Sequence, residues 1–402
     1  MSDLRGSAAI VGAYEHPLRV APDKSEWLMQ AESIIGALDD AGLGKSDVDA
    51  FFTVATSPEA GHVRESAASM LCDYLNLQPK FVDETDIGGA AFGLFLNRAV
   101  MAIHSGVIDT AVISYGACTR SQAAKVGTRN WNDLIGRPLM PFPDAFMEPY
   151  GNTIIGFIGM LMHRQMHEHG LTPEQSASVA VTARKYASLN PDAFKRKPIT
   201  VDDVLASPMI ASPVHMLECC VITDGGGAIV LTSPDRATNL RKPPVWVLGF
   251  GETVSNSRGG HLDWASDFTE ATRVSAARAY KMAGVTPNDI DVAQVYDAFT
   301  IATILGLEGL GLCGPGEAGS LFEAGGFDPG GCALPVNTDG GGLCSNHPGR
   351  RGIFLLIEAV RQLRGEAPGY QVPDPKVALV YGTGSAYMGV QGSATTILSK
   401  ER

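Results

Sequence analysis

The sequence predicts an α/β fold in which one unit of alternating strands and helices is used twice. Ala41-Gly42 followed by Asp47-Val48-Asp49 recurs as Ala283-Gly284 followed by Asp289-Ile290-Asp291 at a constant offset, the mark of an internal duplication. In both copies short apolar runs alternate with stretches of helical periodicity, and strands that are apolar throughout belong to sheets covered on both faces.

The elements follow in the same order in each half. A strand ending in glycine opens them, Ala9-Ile10-Val11-Gly12 and Val245-Trp246-Val247-Leu248-Gly249. Amphipathic helices are predicted next over 26–41 and 268–283, then strands at Ala50-Phe51-Phe52-Thr53-Val54 and Val292-Ala293-Gln294-Val295. Gly-rich stretches lead into apolar helices over roughly 89–104 and 348–363, and closing strands follow at Thr110-Ala111-Val112-Ile113-Ser114 and Lys376-Val377-Ala378-Leu379-Val380. Between 117 and 214 the first half carries an insertion rich in Pro, Met and aromatic residues, with a helical run from Gly156 to His169, and it reads as a lid. The first half is therefore 1–116 together with 215–240, and the second is 241–402.

Composition bounds the function classes. At 402 residues, 45% hydrophobic and 18% charged, the chain has material for one large core or two medium ones. Its 46 glycines gather in runs such as Gly225-Gly226-Gly227 and Gly340-Gly341-Gly342, where turns feed helices and backbone approaches a ligand. The start Met1-Ser2-Asp3-Leu4-Arg5 is no signal sequence, and no stretch approaches the roughly 18 apolar residues of a membrane span. Seven cysteines without paired metal spacing fit free thiols in a reducing compartment, so a cytoplasmic location is expected. Cys219-Cys220 read as small core residues.

A formal charge of −12 argues against sequence-independent nucleic-acid binding. An anionic ligand would need a local basic patch, and Lys195-Arg196-Lys197, preceded by Arg184-Lys185, supplies one; the plain alternative is a solvated charged loop. His163 and His167 share a helical face with His169 nearby, but the position after His163 is Arg164 rather than glutamate, and no carboxylate or cysteine cluster accompanies them. No metal is expected.

Three segments carry a family resemblance. Leu217-Glu218-Cys219-Cys220-Val221-Ile222-Thr223-Asp224-Gly225-Gly226 resembles the stretch that leads into the "SDGA" turn of thiolases. Tyr296-Asp297-Ala298-Phe299 stands where that family has NEAF or HDCF. Asn337-Thr338-Asp339-Gly340-Gly341 leading to Asn346-His347-Pro348-Gly349 resembles its "N-x-x-GG…GHP" loop. In order and spacing the chain is similar to the thiolase superfamily over essentially its whole length, closest in flavour to sterol-carrier-protein-type thiolases and thiolase-like aldolases. The resemblance implies a duplicated thiolase fold layered α-β-α-β-α with a lid in the first half.

The departures bear on the chemistry. Thiolases place their acyl-accepting cysteine at the start of the buried helix that begins here near Gly89, where helix N–H groups favour a thiolate; this chain reads Asp86-Ile87-Gly88-Gly89-Ala90. A second cysteine after the final core strand is replaced by Tyr381-Gly382-Thr383-Gly384. Without a nucleophile no acyl-enzyme forms. By resemblance, His347 donates a hydrogen bond to the thioester oxygen, Tyr296 does acid/base work as in the steroid side-chain aldolases, and Asp297 orients it or carries the proton onward. Gly88, Gly89, Asn346, Ser345, Cys344, Tyr381 and Gly382 form the surrounding loops, and Arg184, Lys195, Arg196 and Lys197 meet the CoA phosphates. The aldolases have a second tyrosine two residues before the histidine, where this chain has Ser345 flanked by Cys344.

The leading expectation is a carbon–carbon lyase that cleaves a β-hydroxyacyl-CoA by a retro-aldol reaction, with no cofactor beyond the coenzyme A of the substrate. Two alternatives stand beside it: an acyltransferase using Cys344 or a partner chain's cysteine, and a non-catalytic scaffold or acyl-CoA carrier. The resemblance further implies a homodimer, expected through a sheet edge at the short apolar strand 110–115, and a small OB-fold, zinc-ribbon-like partner protein.

Overall fold

The computed structural model describes residues 4–54, 66–126, 153–256, 264–332, 334–384 and 390–402. The first half runs through β1 (Ala9–Glu15), α1 (Glu26–Ala41), β2 (Ala50–Thr53), α2 (Ala67–Leu75), β3 (Phe81–Glu84), α3 (Ala91–His104) and β4 (Thr110–Ala117). The insertion adds α4 (Thr119–Val126), α5 (Ile154–His169), α6 (Pro173–Leu189), α7 (Val201–Leu205) and a hairpin of β5 (Met209–Ala211) and β6 (Val214–His215). Its residues 127–152 lie outside the described residues. β7 (Gly225–Thr232) then completes the first half. After α8 (Pro234–Ala237) the second half comprises β8 (Val245–Asn256), α9 (Trp264–Ala283), β9 (Val292–Val295), α10 (Thr300–Gly309), α11 (Ala318–Glu323), α12 (Gly352–Arg364), β10 (Val377–Gly384) and β11 (Val390–Ser399).

The main sheet has the order β3-β2-β4-β7-β1-β8-β11-β10-β9. Apart from the extra edge strand β3 it reads the same from both ends: β2 lies parallel to β4 and β9 parallel to β10, while β7 and β11 run antiparallel to their neighbours. Within the sheet the halves join at β1 and β8, paired antiparallel at Ala9↔Trp246 and Ile10↔Val245. α1 covers one half-sheet and α9 the other, whereas α3 and α12 touch each other and strands of both halves. These two helices form the middle layer, which gives five layers, α-β-α-β-α.

The repeated sequence motif has a mechanical meaning. Gly42 and Gly284 end α1 and α9 at φ +72° and +69°, a left-handed conformation that favours glycine. Asp49 accepts from the backbone N–H of Asp109 and Thr110, and Asp291 from that of Lys376 and Val377. The second aspartate of each D-x-D thus anchors the start of the closing strand, β4 or β10. The first aspartates, Asp47 and Asp289, accept from Gly44 and Thr286 and close the turn.

Two expectations need correction. The strand over 110–115 is not an edge: β4 lies between β2 and β7 with every residue buried. The edge of the first half is β3, where Val82 is 44% exposed. The second apolar helix begins at Gly352 rather than 348, because Pro348 and Gly349, the latter at φ +108°, still belong to the loop, and the Arg351 side chain turns inward to hold it. His347 therefore sits on a loop five residues before the helix.

Candidate active site

Tyr296 and Asp297 follow β9 directly. The Tyr296 N–H donates to the Tyr381 carbonyl on β10 at 3.0 Å, and the Asn337 side chain accepts from Val295 N–H at 2.8 Å. A stretch from Cys219 to Thr223 runs between this turn and the glycine loop, with Cys220 N–H donating to Ala298 and Val221 N–H to Gly342. Residues Gly341–Ser345 make one π-helical turn. Gly341, at φ +67°, also sits where a β-carbon would stand 1.9 Å from Asp297 Oδ2, so only glycine lets the loop close on this carboxylate.

At the centre the Tyr296 hydroxyl and His347 Nε2 are 3.1 Å apart, with the rings edge to face at 75°. Both residues are more than nine-tenths buried. Burial and the charge of Arg351 push the His347 imidazole down to about 4, so it is neutral at pH 7. Burial moves the Tyr296 phenol upward, so it keeps its proton. The His347 N–H donates to Thr223 Oγ1 at 3.0 Å, and that hydroxyl donates to Asn346 Oδ1 at 2.7 Å. The Asn346 amide in turn donates to Glu15 at 3.0 Å. Burial raises Glu15, but the charges of Arg19 and Arg361 outweigh it and hold the carboxyl at about 2.

Asp297 faces the loop. Its Oδ1 accepts from Gly342 N–H at 2.7 Å, its Oδ2 from Leu343 N–H at 3.3 Å, and Arg351 Nε lies 3.3 Å from Oδ1. Burial lifts it to about 7 against the pull of Arg351. Arg351 is fully buried; it donates to both oxygens of Asp339 at 2.6 and 2.7 Å and to the Asn346 carbonyl at 2.9 Å. Sequence reading missed this arginine, since Arg350-Arg351 after a proline looks like a solvated pair.

On the opposite wall, the Gly88 N–H donates to Asp86, which Arg350 grips through Nε at 2.9 Å. A β-carbon on Gly89 would stand 1.9 Å from Tyr296 Cε2, and one on Gly352 or Gly382 would stand 2.0 or 2.6 Å from the Gly89 carbonyl. The tyrosine ring thus fills the space in front of Gly89, and Gly382 belongs to the same wall.

Other anticipated residues fall elsewhere. The Tyr381 side chain is buried away from this centre, with its hydroxyl 2.7 Å from Thr272 of α9 and accepting from Gln391 at 3.3 Å; only its carbonyl supports the site. Cys344 is 1% exposed, its sulfur accepts from Arg184 Nε at 3.1 Å, and burial pushes its thiol up to about 11. It is no ready nucleophile. Ser345 Oγ is fully buried without a hydrogen-bond partner among the described residues. Arg184 is buried and donates also to the Lys197 carbonyl, so it ties α6 to the loop and is not free to meet phosphate. Lys195, Arg196 and Lys197 are exposed, and the backbone N–H groups of Phe194 and Lys195 donate to Ser345 and Cys344; the basic run starts behind the His347 loop. Cys220, read as core, lies close enough to Tyr296 and Asp297 for their charges to act on one another, and burial raises its thiol.

The thiolase C-terminal domain-like family matches residues 255–400. The steroid side-chain-cleaving aldolase of Thermomonospora curvata is 33% identical over 97% of this chain and 98% of that protein. The 17-hydroxy-3-oxo-4-pregnene-20-carboxyl-CoA lyase of Mycobacterium tuberculosis is 33% identical over 96% and 99%. The solved structure of the Ltp2-ChsH2(DUF35) aldolase superposes with a TM-score of 0.84 at 30% identity, covering 99% of both chains.

Proposed function

This chain belongs to the thiolase superfamily as a thiolase-like aldolase, and from that premise we propose that it cleaves a β-hydroxyacyl-CoA by a retro-aldol reaction centred on Tyr296 and His347. The observation that carries this is the Tyr296 ring in the space before Gly89, paired at 3.1 Å with a neutral His347. A proton-transfer pair stands where covalent catalysis would need a nucleophile.

The β-hydroxyl gives up its proton as the Cα–Cβ bond breaks, leaving an aldehyde or ketone. The bond's electron pair moves onto the thioester, and His347 donates its hydrogen bond to the enolate oxygen, a contact of the kind that contributes roughly 3 kcal/mol. A buried phenol that resists ionisation serves best as a relay: Tyr296 accepts the hydroxyl proton as its own passes to His347 Nε2, 3.1 Å away, and that proton then goes to Cα of the enolate. One proton leaves the substrate and one returns, so the pair ends as it began and neither free CoA nor water is consumed. Turnover in D2O is expected to place one deuterium at Cα of the shortened acyl-CoA; product without that label would count against the enolate.

Lys195, Arg196 and Lys197 neutralise the CoA phosphates on an otherwise acidic molecule. The chain forms a homodimer across the β3 edge, a reading supported by Val82, Met70 and Tyr74 at 44%, 39% and 57% exposure on β3 and the adjacent α2. A small OB-fold, zinc-ribbon-like subunit joins it; the paired name of the Ltp2-ChsH2(DUF35) aldolase supports a second subunit as such. Sedimentation of a monomer at micromolar concentration would contradict the dimer.

A further inference from the structure

We propose that Arg351 is the positioning residue of the site, its buried guanidinium fixing the loop that carries His347 at the distance where the imidazole meets Tyr296. Its guanidinium acts through others, making no hydrogen bond to Tyr296 or to the His347 side chain among the described residues, while the Arg351 backbone N–H bonds the Tyr296 hydroxyl.

The geometry is that of a hub. One nitrogen donates to both Asp339 oxygens, a second to the Asn346 carbonyl, and the third faces Asp297 at 3.3 Å. Asp297 holds Gly342 and Leu343 N–H from below, and Asp339 accepts from Gly341 N–H at 3.0 Å. Three backbone N–H groups of the loop, those of Gly341, Gly342 and Leu343, and the Asn346 carbonyl therefore end on the guanidinium or on a carboxylate facing it. The packing allows little slack, since a β-carbon on Gly342 would stand 3.0 Å from Arg351 Cδ, 3.0 Å from Asp297 Oδ1 and 3.1 Å from His347 Cδ2. A lysine there carries the charge but lacks the planar three-way fork.

The charged and titratable groups facing Arg351 are Asp297, Asp339, Cys220 and, at longer range, Glu15, while His347 meets the Tyr296 phenol and the charges of Arg351 and Arg350. Losing the guanidinium removes a cation and loosens the loop, and both changes favour a protonated imidazole.

The kinetic arm of the test rests on the retro-aldol reading and the spectroscopic arm does not. Arg351→Lys and Arg351→Gln are compared with wild type in the full chain by thermal unfolding, by kcat and KM on a β-hydroxyacyl-CoA, and by NMR titration of the histidine rings, with His347 assigned through His347→Gln. The expected result is a fall in kcat of at least about tenfold per folded enzyme in both variants with KM within about threefold, and in Arg351→Gln a His347 titration shifted upward by about one unit or more. Wild-type kcat in folded Arg351→Lys, or an unmoved His347 in folded Arg351→Gln, overturns the proposal. Should neither arginine variant fold, Asp339→Asn, which frees the guanidinium at unchanged volume, is expected to show the same loss in kcat without change in KM, and wild-type kinetics there overturn it equally. A wild-type enzyme without lyase activity would sink the retro-aldol reading alone, because the His347 titration would still decide the role of Arg351.

Discussion

The ring of Tyr296 occupies the space into which any side chain at Gly89 would project, with Cε2 only 1.9 Å from the position of a β-carbon there. The two positions are mutually exclusive: the chain carries a phenol on the second half or a side chain on the first, never both in this arrangement.

Gly89→Ala is therefore expected to destabilise the fold by more than the ~1–3 kcal/mol typical of overpacking, and Gly89→Cys at least as much without creating thiolysis. In a Tyr296→Ala background the same glycine substitutions should cost far less. A double-mutant cycle by urea unfolding checks this; additive free energies would contradict the steric exclusion.

Tyr296→Phe keeps the ring and removes the hydroxyl that meets His347. Turnover should fall sharply with KM nearly unchanged, and His347→Ala should lose about 10²–10³ in rate. Steady-state kinetics at saturating substrate check both, and full turnover in Tyr296→Phe would remove the tyrosine from the chemistry.

Two buried groups set opposite pH dependences. His347 titrates at about 4 in the folded chain against 6.5 for an ordinary histidine, so the unfolded chain binds its proton first and stability from this residue is lost as pH falls from about 6.5 to 4. Asp297, at about 7 against 3.8, works the other way: the folded chain binds the proton first, and its contribution, full below about 3.8, is lost progressively as pH rises to about 7. Between about pH 4 and 6.5 the two slopes oppose each other in wild type, so the melting temperature should fall with rising pH more steeply in His347→Gln and rise with pH in Asp297→Asn over that window. Curves parallel to wild type would contradict these environments.

Arg184 and the run after it part company. Charge reversal at Lys195, Arg196 and Lys197 should raise KM at low salt and leave kcat nearly intact, since phosphate contacts bind substrate and transition state alike. Arg184→Ala should instead lower thermal stability, because it strips the partner from Cys344 Sγ and the Lys197 carbonyl. An unchanged KM in the reversal variant would return the run to a solvated loop.

The D-x-D repeat made the duplication legible because in both halves its first aspartate closes a turn and its second anchors a strand start, jobs that a short stretch of sequence records. Tyr296 and His347 were legible for a similar reason, lying on motifs whose order is fixed along the chain. The hub at Arg351 was not: its partners Asp297 and Asp339 are distant or separated by a glycine loop, and nothing in an Arg-Arg pair marks one member as buried. Tyr381 and Arg184 misled in the opposite sense. Each stands beside the site in sequence, but the alternation of β10 sends the tyrosine beneath α9, and the α6 helix turns the arginine inward.

The most direct measurement mixes the purified enzyme, with its small partner subunit if one copurifies, with a β-hydroxyacyl-CoA in buffer free of coenzyme A and follows both products by mass spectrometry. The retro-aldol account predicts multiple turnovers yielding one carbonyl compound and one shortened acyl-CoA for each substrate lost, with no mass added to the protein. Turnover that begins only when free coenzyme A is added, with an acyl group trapped on a cysteine, would contradict it.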